Sequence, residues 1–515
     1  MSNYYKKKPN LISTIALGIT CMLGSGWLFA AYYAAKNTGP SAYISWIIGA
    51  ILALILSLLL AEMTCSHTKE TSFFTRLFTI SHKNEDFGFI TSSAAWLALV
   101  VTIASEASAT IQYLSAAFPI LEPYIYVDSN LTNIGILLVI LVLSLYVLVN
   151  FWGIRFLVKV SNVITLFKII IPTSTVIILM VAAFHTSNFT SHGFAPYGYG
   201  NIFSTVVDSG IFYSFYGFAI LATFSSELDN PKRNIPIALA ASIFIILAIY
   251  LGLQTAFIGA LPVEMVAKGW AHLDFNSPLA QLLLLFQINI LAIWATVIYL
   301  DAMVSPSGTG VVYAASASRM LQGMAEDNQA PAYFKKTHPI YNFSHRSLIF
   351  TILVCMGVVV FFKNWQDIVI VVTVFQLLSV VAIPVSYTKF KSNESAQHKS
   401  SKQFRVPCGK VLSYFMFLFI TYMLAQAKVE ILVLVLILSL VMFLFYSVTS
   451  YKYKARKVLI SLASSCSIFA YMAFSIVIGY VNEYGVLLQP LYFLCFIITS
   501  TIMYSWLLSQ KNYHK

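Results

Sequence analysis

The sequence predicts an all-α polytopic membrane protein with about fourteen transmembrane helices. Three observations lead there. Hydrophobic residues make up 59% of the 515-residue chain and charged residues only 10%, a balance far from that of water-soluble globular proteins. Apolar runs of about 20 residues, enough to cross a hydrocarbon core of roughly 30 Å, recur along nearly the whole chain. Short polar loops rich in Lys and Arg separate them.

In chain order the spans are read at residues 11–36, 41–65, 88–118, 131–151 and 157–184, then 204–226, 236–260, 283–318, 346–362 and 367–388. Two more follow at 411–427 and 430–449, divided only by a short link around Lys428, and two additional ones at 458–480 and 488–509. Residues 1–10 form an amino-terminal arm, 389–410 a polar loop and 510–515 a tail. With the amino terminus inside, the inside segments hold all but five of the 31 Lys and Arg residues. Lys36, Lys268, Lys363 and Lys428 fall in outside loops, and Lys168 falls within a span. The net charge of +12 therefore reads as topology, with both termini cytoplasmic, and not as a nucleic-acid surface, for which no basic face with interleaved aromatics exists.

The first span is too long for a cleaved signal peptide and lacks a small-residue cleavage site. Cys21, Cys65, Cys355, Cys408, Cys466 and Cys495 show no paired spacing, which predicts neither a disulfide framework nor a zinc site. All nine histidines lie outside the spans or at their edges and read as loop residues in water. No Gly-Lys-Ser/Thr phosphate loop, no ring of repeated polar residues and no His- or Ser-base pair at membrane depth is present, which argues against ATP drive, a channel and a membrane-embedded enzyme.

The first span contains Gly24-Ser25-Gly26 halfway along. Irregular backbone at that depth survives only where protein or a wet cavity satisfies its N–H and C=O groups, so this stretch is expected to line a cavity. Close helix packing on small residues is the competing explanation. The sixth span carries Gly217 at a matching depth, within Phe212-Tyr213-Ser214-Phe215-Tyr216-Gly217-Phe218. Paired interruptions suggest two inverted repeats of five spans, 11–184 and 204–388, with spans one and six broken. Such a site fits an amino acid. The N–H groups of Gly24, Ser25 and Gly26 would take its carboxylate, and carbonyls near Cys21, Met22 and Leu23, with those of Phe212 and Tyr213, its ammonium. Tyr213, Tyr216 and Trp27 would shape or close the pocket, although aromatics in a span are often core packing.

These residues resemble the amino acid-polyamine-organocation superfamily of transporters over roughly residues 10–450. Gly24-Ser25-Gly26 with its following aromatic run is similar to that family's first helix, and Gly39-Pro40 to the start of its second. Phe215-Tyr216-Gly217-Phe218 with Glu227 to Pro236 resembles its sixth helix and next loop, and Ala317-Ser318-Arg319-Met320-Leu321 with Met324 to Asn328 the loop after its eighth. The wording of Gly24 to Phe29 and of Asp301 to Gly310 resembles the aspartate/proton symporter-like branch. The resemblance implies a leucine-transporter-like 5+5 inverted repeat with two helices beyond the usual twelve. It also implies amino acid transport by alternating access and a multi-pass plasma membrane location of the bacterial inner-membrane kind. Where relatives carry an acidic or polar residue after the helix-six glycine, Phe218-Ala219-Ile220-Leu221 is apolar, so that chemistry does not carry over.

Ionisable groups deep in spans are costly and are functional candidates. Lys168 lies about ten residues from its span end, roughly 15 Å at the helical rise, too deep to snorkel easily. The resemblance assigns it the proton-coupling role, with Asp301 as its counter-ion. Glu106, among small residues of the third span, is read as a second proton site or as a residue that meets a cationic substrate. Structural pairing is the alternative for all three. Glu62 and Asp208, nearer span ends, read as solvated or capping residues. The expectation is a secondary amino acid transporter coupled to protons, with no other cofactor; an exchanger is the alternative, and a transporter-derived sensor a remoter one. No Arg obvious within a span would hold a second substrate carboxylate.

Overall fold

The computed structural model describes residues 9–66, 73–151, 154–223, 228–338, 344–393, 404–450 and 455–510. The arm before Pro9, Glu227, the middle of the 389–410 loop and the tail after Gln510 lie outside the described residues. The helices are α1 (Leu11–Met22), α2 (Gly26–Thr38), α3 (Ala42–Ser66), α4 (Leu77–His82), α5 (Glu85–Ala117), α6 (Glu122–Ile125), α7 (Asn133–Phe151) and α8 (Ile154–Ala182). Then come α9 (Asn201–Asp208), α10 (Ile211–Phe215), α11 (Gly217–Thr223), α12 (Pro231–Ala260), α13 (Val263–Ala267), α14 (Pro278–Leu285) and α15 (Asn289–Glu326). The chain ends with α16 (His345–Phe361), α17 (Trp365–Val380), α18 (Ala382–Asn393), α19 (Gly409–Leu424), α20 (Val429–Ser450), α21 (Ala455–Glu483) and α22 (Gln489–Ser509). A small antiparallel pair, β1 (Tyr126–Val127) and β2 (Asn130–Leu131), joins α6 to α7.

Local chemistry sets several of these boundaries. Asn10, Asn84 and Asn364 each accept a backbone N–H from three residues on, at 2.9, 3.1 and 2.8 Å, and so cap α1, α5 and α17. Pro231 and Pro278 open α12 and α14, where a missing N–H costs nothing. Among the described residues, ten helices are long and apolar enough to cross a membrane, or eleven if the bent pair of α9 with α10–α11 counts as one span. The apolar helices α1, α16 and α19 are shorter.

Two expected boundaries move. The eighth span, expected at 283–318, begins at Asn289, because residues 283–285 belong to α14 and Gln287 turns the chain at a φ of 55°. It then runs on to Glu326, through residues expected to form a loop. Ala, Met, Leu and Gln are strong helix formers and carry the helix to Asp327 and the left-handed Asn328. In the sixth segment the sharpest bend, 57°, falls at Ser209–Gly210, upstream of Gly217. Gly210 has a φ of 76°, which only glycine adopts without strain.

The centre of the bundle is built on α5 and α17, whose apolar stretches are buried all round, whereas α20 and α22 expose most of theirs. α15 and α17 pack along α5, and α3 along α12. At the end where the chain enters α1, Arg76 grips Asp327 through two hydrogen bonds of 2.7 and 2.6 Å. Glu62 sits at the same end and is not solvated, being only 4% exposed. Its carboxylate pairs with Lys391 at 2.6 Å and accepts the Tyr387 hydroxyl at 2.6 Å and the Val406 N–H at 2.8 Å. His82 also departs from the expected loop residue in water. It is buried, bonded to the Leu507 carbonyl at 3.2 Å and to the Ser81 hydroxyl at 2.8 Å.

Candidate functional site

α1 stops at Met22 and α2 starts at Gly26, leaving Leu23, Gly24 and Ser25 between two helix ends. The carboxyl end of α1 presents carbonyls with partial negative charge, and the amino end of α2 presents N–H groups with partial positive charge. Each end is met by the complementary ion. Lys168, fully buried on α8, donates from Nζ to the Leu23 carbonyl at 2.7 Å, to the Thr20 carbonyl at 3.2 Å and to the Thr309 hydroxyl. Glu106, 1% exposed on α5, accepts the Ser25 N–H at 2.7 Å and the Tyr213 hydroxyl at 2.6 Å.

Around this pair the polar contacts close. The Tyr213 hydroxyl also shares hydrogen bonds with Ser105 at 2.9 Å and Ser25 at 3.0 Å, and the Trp365 indole N–H donates to the Ser25 hydroxyl at 2.9 Å. Tyr313 donates to the Cys21 carbonyl at 2.9 Å and Tyr250 to the Met22 carbonyl at 3.5 Å. The carbonyls of Cys21, Met22 and Leu23, expected to meet a ligand's ammonium, are therefore engaged from within the chain in this conformation. So is the Ser25 N–H, expected to meet its carboxylate.

The glycines act here through close approach. A Cβ on Gly24 would overlap the Glu106 carboxylate, one on Gly26 the Ser214 hydroxyl, and one on Gly217 the Cys21 carbonyl. Gly217 thus lays α11 directly on the end of α1. Phe212 and Trp27 are buried, and the Trp27 indole nitrogen has no hydrogen-bond partner. Tyr216 shares a 2.9 Å hydrogen bond with Ser379 of α17. Asp301 is buried on α15 but makes no ion pair with Lys168. Its Oδ2 lacks a hydrogen-bond partner, and so does the hydroxyl of Ser305 one turn on. Asp208 closes α9, with its Oδ1 likewise unpartnered.

Sequence reading missed Thr20, Ser105, Tyr250, Tyr313 and Trp365. One signal for Tyr313 was present: Asp301, Ser305, Thr309 and Tyr313 recur every fourth residue, a polar stripe on one face of α15. The others lie on buried helices whose facing no periodicity reveals.

The fold and this junction define a polytopic membrane protein with charged groups held at a helix interruption deep in its core. The chain belongs to the amino acid permease family, whose sequence profile matches residues 10–430. It is 36% identical over 388 residues to the glutamate/serine transporter AimA of Bacillus subtilis, covering 75% of this chain and 71% of that one. It is 30% identical over 391 residues to the aspartate-proton symporter of the same organism, covering 76% and 74%. Similarity extends to a chloroplastic cationic amino acid transporter 9 of Arabidopsis thaliana, at 24% identity over 65% of this chain and 58% of that one. Membership of a permease family makes the protein a transporter and not an enzyme.

Proposed function

We propose that this chain is a secondary active amino acid transporter that works by alternating access and takes up its substrate together with a proton. The observation that carries the reading is the Leu23–Ser25 gap held between the Lys168 ammonium and the Glu106 carboxylate. An amino acid brings the same two charges. Its carboxylate would take the Ser25 N–H from Glu106, and Glu106 would turn to the substrate's ammonium.

Lys168 supplies the coupling. An ammonium has three N–H donors, matched here by three acceptors, Thr20, Leu23 and Thr309. A neutral amine has two. Release of the proton therefore removes one tie between α8 and its neighbours α1 and α15, which biases one conformation over another. In this reading α1–α2 and α9–α11 open two inverted five-helix repeats, at 11–184 and 204–388, with both termini on the Lys- and Arg-rich cytoplasmic side of the plasma membrane. The names of the two Bacillus relatives support a small amino acid with a polar or acidic side chain and a proton as the coupling ion.

Purified protein in proteoliposomes tests this. An outside-acid gradient should drive accumulation, and Lys168→Ala should bind amino acid within about tenfold of the parent yet accumulate none above the gradient-free level. Unchanged accumulation in the variant overturns the coupling assignment. Uptake that needs internal amino acid and ignores the gradient makes the protein an exchanger.

A further inference from the structure

Gln376, in the interior of α17, is fully buried, and both its side-chain oxygen and its side-chain nitrogen lack hydrogen-bond partners. A carboxamide that leaves its donor and its acceptor both unmet in a protein core is costly, and native structures rarely keep one without a reason. Its neighbours on the helix show where it points. At 3.6 residues per turn, Trp365, Val369, Val372, Gln376 and Ser379 lie on one stripe of α17. Trp365 reaches the Ser25 hydroxyl, Val369 lies against Gly210 at the bend, and Ser379 meets the Tyr216 hydroxyl. The stripe therefore runs along the interrupted segments that carry the junction. Val374 and Leu378, about half a turn away, face α19, α20 and α21, where they line a cavity with Leu424, Leu432, Val435 and Met472.

We infer that Gln376 reads the substrate's side chain, and that the class it selects carries a hydrogen-bond donor and acceptor together: a hydroxyl or a carboxamide. The chemistry narrows the class. A carboxylate offers only acceptors, so it would satisfy the amide nitrogen and leave the amide oxygen facing another lone pair; an aliphatic side chain satisfies neither. A hydroxyl or carboxamide satisfies both. This rests on the transporter reading above and specifies the substrate of that same site.

The test is equilibrium binding to detergent-purified full-length protein, comparing L-serine with L-alanine, L-threonine with L-valine and L-asparagine with L-leucine, with L-aspartate alongside. The parent protein should prefer the hydroxyl or carboxamide member of at least one pair by about tenfold or more, the worth of one or two good hydrogen bonds. Gln376→Leu should erase that preference, while Gln376→Asn should retain part of it. A preference unchanged in Gln376→Leu overturns the inference and reassigns the amide to a bound water. Tightest binding of L-aspartate or of the aliphatic members by the parent also overturns it, while leaving the transporter reading intact. Binding of no amino acid at all overturns the transporter reading itself.

Discussion

Glu106 and Glu62 lie on spans consecutive in the chain, are both buried, and each accepts one tyrosine hydroxyl at 2.6 Å and one backbone N–H at 2.7 or 2.8 Å. They differ in what completes the shell. Glu62 has Lys391 at 2.6 Å, so its charge is neutralised by a fixed cation on α18. Glu106 is met by neutral donors, and the nearby Lys168 spends its hydrogen bonds on the end of α1 instead. A buried carboxylate with its own cation is a structural tie between α3, α18 and the segment entering α19. One without it is held by neutral hydrogen bonds alone, the arrangement that the proposed exchange of partners with a zwitterionic ligand calls for.

The largest test of that contrast is Glu106→Gln, which keeps the shape, lets the amide oxygen accept the Ser25 N–H and lets the amide nitrogen donate to Tyr213. It should cut proton-driven uptake in proteoliposomes at least tenfold while moving the melting temperature by no more than about 2 °C. Near-normal uptake would show that Glu106 is as structural as Glu62. The reverse pattern is expected of Glu62→Gln. Loss of the carboxylate removes the 2.6 Å ion pair with Lys391, a side chain 21% exposed that can reach water, so the cost is about 1–2 kcal/mol, read as a fall of a few degrees in melting temperature with binding retained. Abolished amino acid binding in this variant would break the comparison.

The smallest effect concerns His82 in α4, outside the spans and at the Glu62 end. Burial, helped by Lys389 alongside, pushes its pKa down from 6.5 to about 3. The unfolded chain takes up a proton below about pH 6.5, whereas the folded chain does not until about pH 3. Stability from this group is therefore complete above pH 6.5 and declines as the pH falls through that window. His82→Gln should flatten the dependence of melting temperature on pH between 7.5 and 5.5 relative to the parent protein, by about 1–3 °C. An identical slope would mean that the α4–α22 contact does not carry it.

Much of the site was legible because membrane depth makes a few residue types conspicuous. Gly24-Ser25-Gly26, Glu106, Lys168 and Asp301 each stand out against apolar runs, since unpaired backbone and charge are expensive there. What each one touches was not legible. Asp301 suggested a partner for Lys168, yet Lys168 turns to the Thr20 and Leu23 carbonyls at the end of α1, nearly 150 residues earlier in the chain. Glu62 read as solvated because it lies near a span end, and only the return of α18 and Val406 over it removes the water. The bend at Ser209–Gly210 has a local signal, a Ser-Gly pair, but nothing in the sequence distinguishes it from the glycine at 217, seven residues on.

The sequence by itself determined that the chain is helical and membrane-embedded, which depths carry charge, and where a helix is free to stop, because hydrophobicity, glycine and proline act over a few neighbouring residues. The tertiary structure alone decided that a lysine meets the end of α1 and a glutamate the start of α2, and that the stripe of α17 bearing the buried amide of Gln376 also carries the residues that touch Ser25 and Tyr216. Hydrogen-bond partners are fixed by distance in space, and in a bundle buried on all sides no periodicity in the sequence records which face of one helix will meet which face of another.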